Sequence, residues 1–130
     1  MLDLDFFKYV NDHYGHATGD AYLRAVAQVL GRHCSHPTDL AARYGGEEFA
    51  CVLPDTPHPQ AQQIAEAMRQ ATLDLQLPHA SSPYGVLTVS MGVITLEHGP
   101  LSAAQLQEQA DALLYAAKDA GRNAIVCKIL

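Results

Sequence analysis

The sequence predicts an α/β (α+β) domain: a mixed central sheet with flanking helices. Three observations lead there. Strand-like apolar runs alternate with apolar stripes at helical spacing. In the middle, Gly45-Gly46 separates two apolar runs, residues 39–44 and 49–53, and reads as the tight turn of a β-hairpin. Hairpin strands are antiparallel, so the sheet is mixed and not the purely parallel sheet of a doubly wound fold. Finally, 130 residues, 48% apolar and 17% charged, fit one domain with one core.

In chain order, Met1-Leu2-Asp3-Leu4-Asp5 alternates apolar and acidic like the end of a strand. It is short for a core strand of about 5–6 residues. Residues 6–13 read as a short helix ending at Gly15. A second helix is expected over 19–33, with Leu23, Val26, Ala27 and Leu30 on one face. Ser35-His36-Pro37-Thr38 breaks it, and the hairpin comes next. Residues 54–59 form a loop, with Thr56 as a cap and Pro57 at the first position of a helix that runs to about residue 73. Ala61, Ile64, Ala65, Met68 and Thr72 make its buried stripe. Residues 77–85 are rich in turn formers. A β-branched strand spans 86–95, with a bulge expected at Gly92. Ser102 and Gln105 form a capping box for the next helix, which carries Leu106, Ala110, Leu113, Leu114 and Ala117 and stops at Gly121. The last strand covers 124–129.

Composition excludes several classes. A net charge of −6 argues against nucleic acid or an anionic membrane as the main partner. A phosphate-bearing ligand would need a metal or a few placed cations. Cys34, Cys51 and Cys127 are odd in number and lack a CxxC pair, so no disulfide framework is expected. No apolar run is long enough to span a bilayer and no signal peptide is visible, which makes a cytoplasmic location the default.

Three constellations bear chemistry. Asp3 and Asp5 share a face if both lie on a strand, and diverge if Asp5 turns into the helix; the plain reading of Asp5 is a helix cap. One strand-end Asp plus Glu47 and Glu48 beside the hairpin glycines would suffice for Mg²⁺, which keeps waters and substrate phosphates in its shell. The plain reading of the hairpin is a solvated acidic tip. Lys8, Lys118 and Arg122 are cations in an acidic chain, and Lys118 and Arg122 share a helix face if that helix holds through Gly121. Asn11, His16 and Asp20 offer the donors and acceptors that a guanine edge requires, although Asn11 and Asp20 are also ordinary helix-end residues.

Taken together, the motifs resemble one family. Asp3-Leu4-Asp5-Phe6-Phe7-Lys8-Tyr9-Val10-Asn11-Asp12, Gly15-His16, Gly19-Asp20, Arg43 through Phe49, Ser90-Met91-Gly92-Val93, Ala110 through Lys118 and Gly121-Arg122-Asn123 resemble the GGDEF family of diguanylate cyclases, in order and with matching intervals. The third signature residue is Glu47 where the family also has Asp. The resemblance implies a fold like the palm of nucleotidyl cyclases and polymerases. It implies condensation of two GTP into cyclic di-GMP by a homodimer of catalytic domains, with two Mg²⁺ or Mn²⁺ per site. Asp3, the Leu4 carbonyl and Glu47 would hold the metals. Glu47, with Glu48 alongside and Lys8, would be catalytic. Phe7, Asn11, His16, Asp20, Gly45, Gly46, Lys118 and Arg122 would bind substrate. A domain of the same family that binds GTP without turnover, regulating an attached signalling domain, is the alternative.

The chain departs from the family pattern in two places. The Arg-x-x-Asp product-inhibition site is matched by His36-Pro37-Thr38-Asp39, in which a shorter His replaces the forked Arg, so product inhibition is expected to be weak or absent. The family's N-terminal helix and part of the first strand are not seen ahead of Asp3, and residues 1–130 are expected to be the remainder of the domain. In the family an upstream sensory or receiver domain usually controls dimerisation.

Overall fold

The structure is a computed structural model that describes all residues, 1–130. Its elements are β1 (Leu2–Leu4), α1 (Phe7–Tyr14), α2 (His16–His33), β2 (Leu40–Gly45), β3 (Glu48–Val52), α3 (His58–Asp74), β4 (Val89–Thr95), α4 (Ala103–Asp119) and β5 (Ile125–Ile129). They form one five-stranded sheet in the order β2-β3-β1-β4-β5. All neighbours are antiparallel except β4 and β5, which the α4 crossover joins in parallel. The mixed sheet with flanking helices is therefore as the sequence predicts. No helix is long and apolar enough to cross a membrane.

Short β1 lies at the centre of the sheet and is buried along its whole length. Leu2 and Leu4 point to one face and join a core with Phe7, Val10, Leu23 and Val26 from α1 and α2, and Met68 from α3. Asp3 points to the other face, opposite Glu48 on β3 and Ser90 on β4. That second face belongs to α4. Met91 sits in the core, while its neighbour Gly92 meets α4.

Several local expectations are corrected. Gly92 makes no bulge: its register with β5 is unbroken. It is glycine because a Cβ there would lie 2.3 Å from the Ala110 carbonyl oxygen and 2.4 Å from the Leu114 nitrogen. The irregularity falls in β2, between Arg43 and Gly45. The hairpin turn is Gly46-Glu47, and of the two glycines only Gly46 has positive φ, at 53°. Helix α2 starts at His16, three residues early, because Gly15 (φ 90°) already breaks the chain direction. Thr56 does not cap α3: its hydroxyl donates to the Pro54 carbonyl, and the N-cap is Pro57. The Ser102–Gln105 capping box forms as expected. Strand β4 begins only at Val89, since Val86 makes an isolated bridge to Pro78.

Beyond β1, strands β3 and β4 diverge around a cavity of about 770 Å³, lined by Met1, Leu53, Ile64, Met68, Val93 and Leu106 among others. Cys34, Cys51 and Cys127 are free thiols, and burial pushes Cys51 up to about 12.

Two glycine substitutions test the packing of α4. Gly92→Ala is expected to cost about 2–3 kcal/mol, because both obstructing atoms are backbone. Gly31→Ala, in α2 with nothing near its added Cβ, is expected to stabilise by about 0.5–1 kcal/mol. Urea unfolding of both variants reads the difference; equal effects would contradict the close-approach account.

Candidate active site

The sheet gathers the acidic groups. Asp3 stands opposite Glu48, and the Leu4 N–H donates to the Glu47 carbonyl at 3.3 Å. Residues some 45 positions apart in sequence thus meet on adjacent strands. Asp3 is 3% exposed. Its Oδ2 accepts from the Lys118 ammonium, and its Oδ1 has no partner. Burial raises the Asp3 pKa from 3.8 to about 6; Lys118 opposes the rise, and Glu47 and Glu48 add to it. A buried carboxylate oxygen without a donor, beside two further carboxylates, suits a cation. No three acidic, His or Cys side chains converge tightly enough to hold a metal unaided. The set fits Mg²⁺ or Mn²⁺, whose shell keeps water and substrate oxygens; Asp3, the Leu4 carbonyl and Glu47 are the groups that would hold such an ion.

Asp5 is not a helix cap. It is 1% exposed and accepts three hydrogen bonds: from Thr88 Oγ1 at 2.7 Å, Ser90 Oγ at 2.7 Å and the Asn123 N–H at 3.0 Å. The N-cap of α1 is Phe6, in the left-handed region at φ 55°. With no side chain capping it, the first turn of α1 leaves N–H groups at Phe7 and Lys8 for an anion. Lys8 is exposed on that turn.

Lys118 and Arg122 do not share a helix face. Helix α4 ends at Asp119, and Gly121 (φ 115°) closes it: its N–H reaches the Lys118 carbonyl and the Arg122 N–H reaches Ala117. Arg122 then lies with its guanidinium carbon 4.3 Å from the centre of the Phe6 ring. The two cations leave α4 by separate routes: Lys118, from the last helical turn, reaches Asp3 on β1, and Arg122, from the loop, reaches Phe6 at the start of α1.

Asn11 packs against Gly19, where a Cβ would fall 1.9 Å from its Oδ1 and 3.2 Å from the Phe7 ring. One turn beyond His16, Asp20 is exposed and lines a groove of about 410 Å³ between α2 and the hairpin, with Leu23, Arg24, Arg43 and Phe49. His36 and Asp39 lie apart from all of these, at the far end of β2 from the turn. There Asp39 Oδ2 accepts from the His36 N–H at 3.1 Å, and the His36 ring contacts Thr38. Sequence reasoning misses the roles of Asp5, Thr88 and Asn123. Ser90 and Asn123 do stand in the motifs that carry the resemblance.

The comparisons with known proteins agree with this fold. The family description "Diguanylate cyclase, GGDEF domain" matches residues 1–124. The chain belongs to the GGDEF family. Diguanylate cyclase A of Treponema denticola is 40% identical over 125 residues, covering 96% of this chain and 33% of that protein. The GGDEF domain of DgcB from Caulobacter crescentus, solved in complex with c-di-GMP, superposes with a TM-score of 0.85 at 41% identity, over 97% of this chain and 74% of that one. The active GGEEF domain of a Vibrio cholerae diguanylate cyclase gives 0.83 at 33% identity, over 97% and 78%. The chain spans about a third of the length of the curated relatives it matches.

The raised Asp3 pKa carries a sign. Without a metal, this group's contribution to stability is present below about 3.8 and lost as pH rises through about 6. Asp3 must be ionised to hold a cation, so Mn²⁺ affinity is expected to fall as pH drops through about 6, earlier than for an ordinary carboxylate. Isothermal titration on both sides of that pH reads it. Asp3→Asn is expected to abolish Mn²⁺ binding while raising the metal-free melting temperature at neutral pH. Unchanged affinity across that window would contradict the assignment.

Proposed function

We propose that this domain is a diguanylate cyclase module that condenses two GTP into cyclic di-GMP and releases two pyrophosphates. The carrying observation is the buried, unpartnered Oδ1 of Asp3, with Glu48 paired opposite it and Glu47 in the adjoining turn, near an uncapped helix start and the cations Lys118 and Arg122. A bound pair of Mg²⁺ or Mn²⁺ ions supplies charge neutralisation at the attacking and leaving oxygens. The chain's own residues bind and orient. Asn11, His16 and Asp20 take the guanine end. Lys8, Lys118, Arg122 and the N–H groups at Phe7 and Lys8 take the phosphates. Lys118 exchanges its Asp3 partner for phosphate oxygens as substrate enters. Glu47 accepts the proton of the 3′-hydroxyl as that oxygen bonds to the α-phosphorus of the second GTP and the bond to pyrophosphate breaks. Glu48 stands beside it. The exposed glycines Gly45, at the end of β2, and Gly46, in the turn, leave room for the nucleotide. The Vibrio cholerae relative is described as active with a GGEEF turn, which supports Glu47 as a working equivalent of Asp.

One domain holds one GTP, so turnover takes two facing copies, in the cytoplasm where GTP is found, under an upstream sensory or receiver domain. We propose in addition that the GGDEF unit includes an apolar strand running into β1. The cavity between β3 and β4 lies in the lane that β1 occupies at Leu2–Leu4, with α3 and α4 residues on either side. An extension of about five apolar residues is expected to raise the unfolding midpoint, and a charged one of equal length is not; equal effects would contradict it.

The functional assay is direct. Incubation with GTP and Mg²⁺ is expected to yield cyclic di-GMP by chromatography, and Glu47→Ala none. Asp20→Ala is expected to weaken GTP binding with a smaller effect on turnover. GTP binding without product would favour the regulatory alternative. Because His36 offers no forked cation, and Asp39 Oδ2 already accepts from the His36 N–H, cyclic di-GMP is expected to bind there weakly or not at all. Tight binding lost on Asp39→Ala would overturn that.

A further inference from the structure

His79 lies outside every group assigned so far. It is 1% exposed, in the loop between α3 and β4. Its Nε2 is 3.1 Å from the Phe6 carbonyl oxygen, so Nε2 carries the hydrogen and donates it. Its Nδ1 has no partner. A buried imidazole left half-satisfied is costly, and packing alone would be served better by an apolar side chain. The ring stands edge-on to the Phe6 ring, at 6.4 Å between centres and 84° between planes. Phe6 is the residue held in the left-handed region, at φ 55°, a conformation disfavoured for an aromatic residue. Its carbonyl takes a second hydrogen bond from the Tyr9 N–H at 3.0 Å. On the Phe6 ring rests the Arg122 guanidinium, which leaves α4 through two further left-handed residues, Arg122 at φ 64° and Asn123 at φ 45°. Arg122 makes no ion pair with any carboxylate.

We infer that His79 is a positioning residue: it fixes the Phe6 turn, and the Phe6 ring then serves as the platform that holds Arg122 toward the phosphates at the start of α1. The inference rests on the nucleotide reading above and adds a residue to it. His79 touches no substrate. It acts through one hydrogen bond and one ring edge, and the stack His79–Phe6–Arg122 ties three separate loops together: β1 to α1, α3 to β4, and α4 to β5. The platform also orients the Phe7 and Lys8 N–H groups, which come directly after Phe6.

The test separates positioning from mere stability. Gln places an amide donor at a reach similar to that of Nε2, so His79→Gln is the conservative variant and His79→Ala the deletion. Two readouts are taken on the whole chain. The Arg122 side-chain proton shifts, moved upfield by the Phe6 ring current in the parent, are expected to return to random-coil values in His79→Ala and to stay upfield in His79→Gln. The ratio of GTP to guanosine affinity isolates the phosphate contribution. It is expected to fall about tenfold in His79→Ala, the size of one desolvated cation–π contact, and to recover in His79→Gln. Phe6→Leu removes the platform while leaving the His79 hydrogen bond to the backbone carbonyl of residue 6 in place, and it is expected to give the same loss in the affinity ratio, which keeps the test decisive if His79→Ala does not fold. Arg122 shifts that stay upfield in His79→Ala, or GTP and guanosine affinities that fall in parallel in His79→Ala or in Phe6→Leu, overturn the inference alone. No GTP binding by the parent overturns the nucleotide reading and this inference with it.

Discussion

The Asp5 carboxylate is the fixed point of the molecule. It is a buried acidic group, and such a group is tolerated only when its oxygens are met by donors. Three meet it, and they come from distant parts of the chain: Thr88 and Ser90 around the start of β4, and the Asn123 backbone beyond α4. The Asp5 N–H also bonds to the Thr88 carbonyl at 2.9 Å. One side chain therefore fixes where β1 ends, where β4 runs, and where the loop after α4 returns to the sheet. Asn123 passes the restraint on: its side-chain oxygen accepts from Arg69 at 2.9 Å, and Arg69 is paired with Glu66 on α3.

That anchor brings charge together at the end of β1. With the chain pinned at Asp5, Phe6 must reverse direction in a single left-handed step, and α1 begins with its N–H groups uncapped. The close approach of α4 at Gly92 and its termination at Gly121 then set the depth and direction of Lys118 and Arg122. The acidic side of the balance comes from strand pairing. Asp3 and Glu48 are antiparallel partners, and Glu47 occupies the turn beside Leu4. Burial in the middle of the sheet raises the Asp3 pKa to about 6, and the repulsion from Glu47 and Glu48 that the register imposes adds to it. An arrangement that destabilises its own charged state in this way is held together by tertiary structure, and it is relieved by a cation.

Much of this is legible in the sequence. The hairpin at Gly45-Gly46, the capping box at Ser102 and the helical stripes give a mixed sheet with flanking helices, because each is a local signal that packing does not reverse. The pairing of β1 with the hairpin strand, which sets Asp3 opposite Glu48 and Leu4 against the Glu47 carbonyl, is legible through motif resemblance; local spacing alone leaves a solvated acidic tip as the competing account. The errors share a cause. Asp5 reads as a cap because Asp before a helix is ordinarily one, and its true partners are more than eighty residues away. Gly92 reads as a bulge because a strand glycine ordinarily marks one, and the helix that presses on it cannot be seen from the strand. Lys118 and Arg122 read as sharing one face because the helical period continues in the letters, while the chain turns at Gly121. Loop residues such as His79 have no periodicity to betray them.

The claim that one buried carboxylate gathers the site is tested most directly by amide hydrogen exchange at Asn123. In the parent, its N–H is bonded to Asp5 Oδ2 and is expected to exchange slowly. In Asp5→Ala, that amide is expected to exchange at the rate of an open loop while amides within α2 keep their protection. Slow exchange retained at Asn123 in Asp5→Ala would contradict the claim, because the loop would then be held by something other than Asp5.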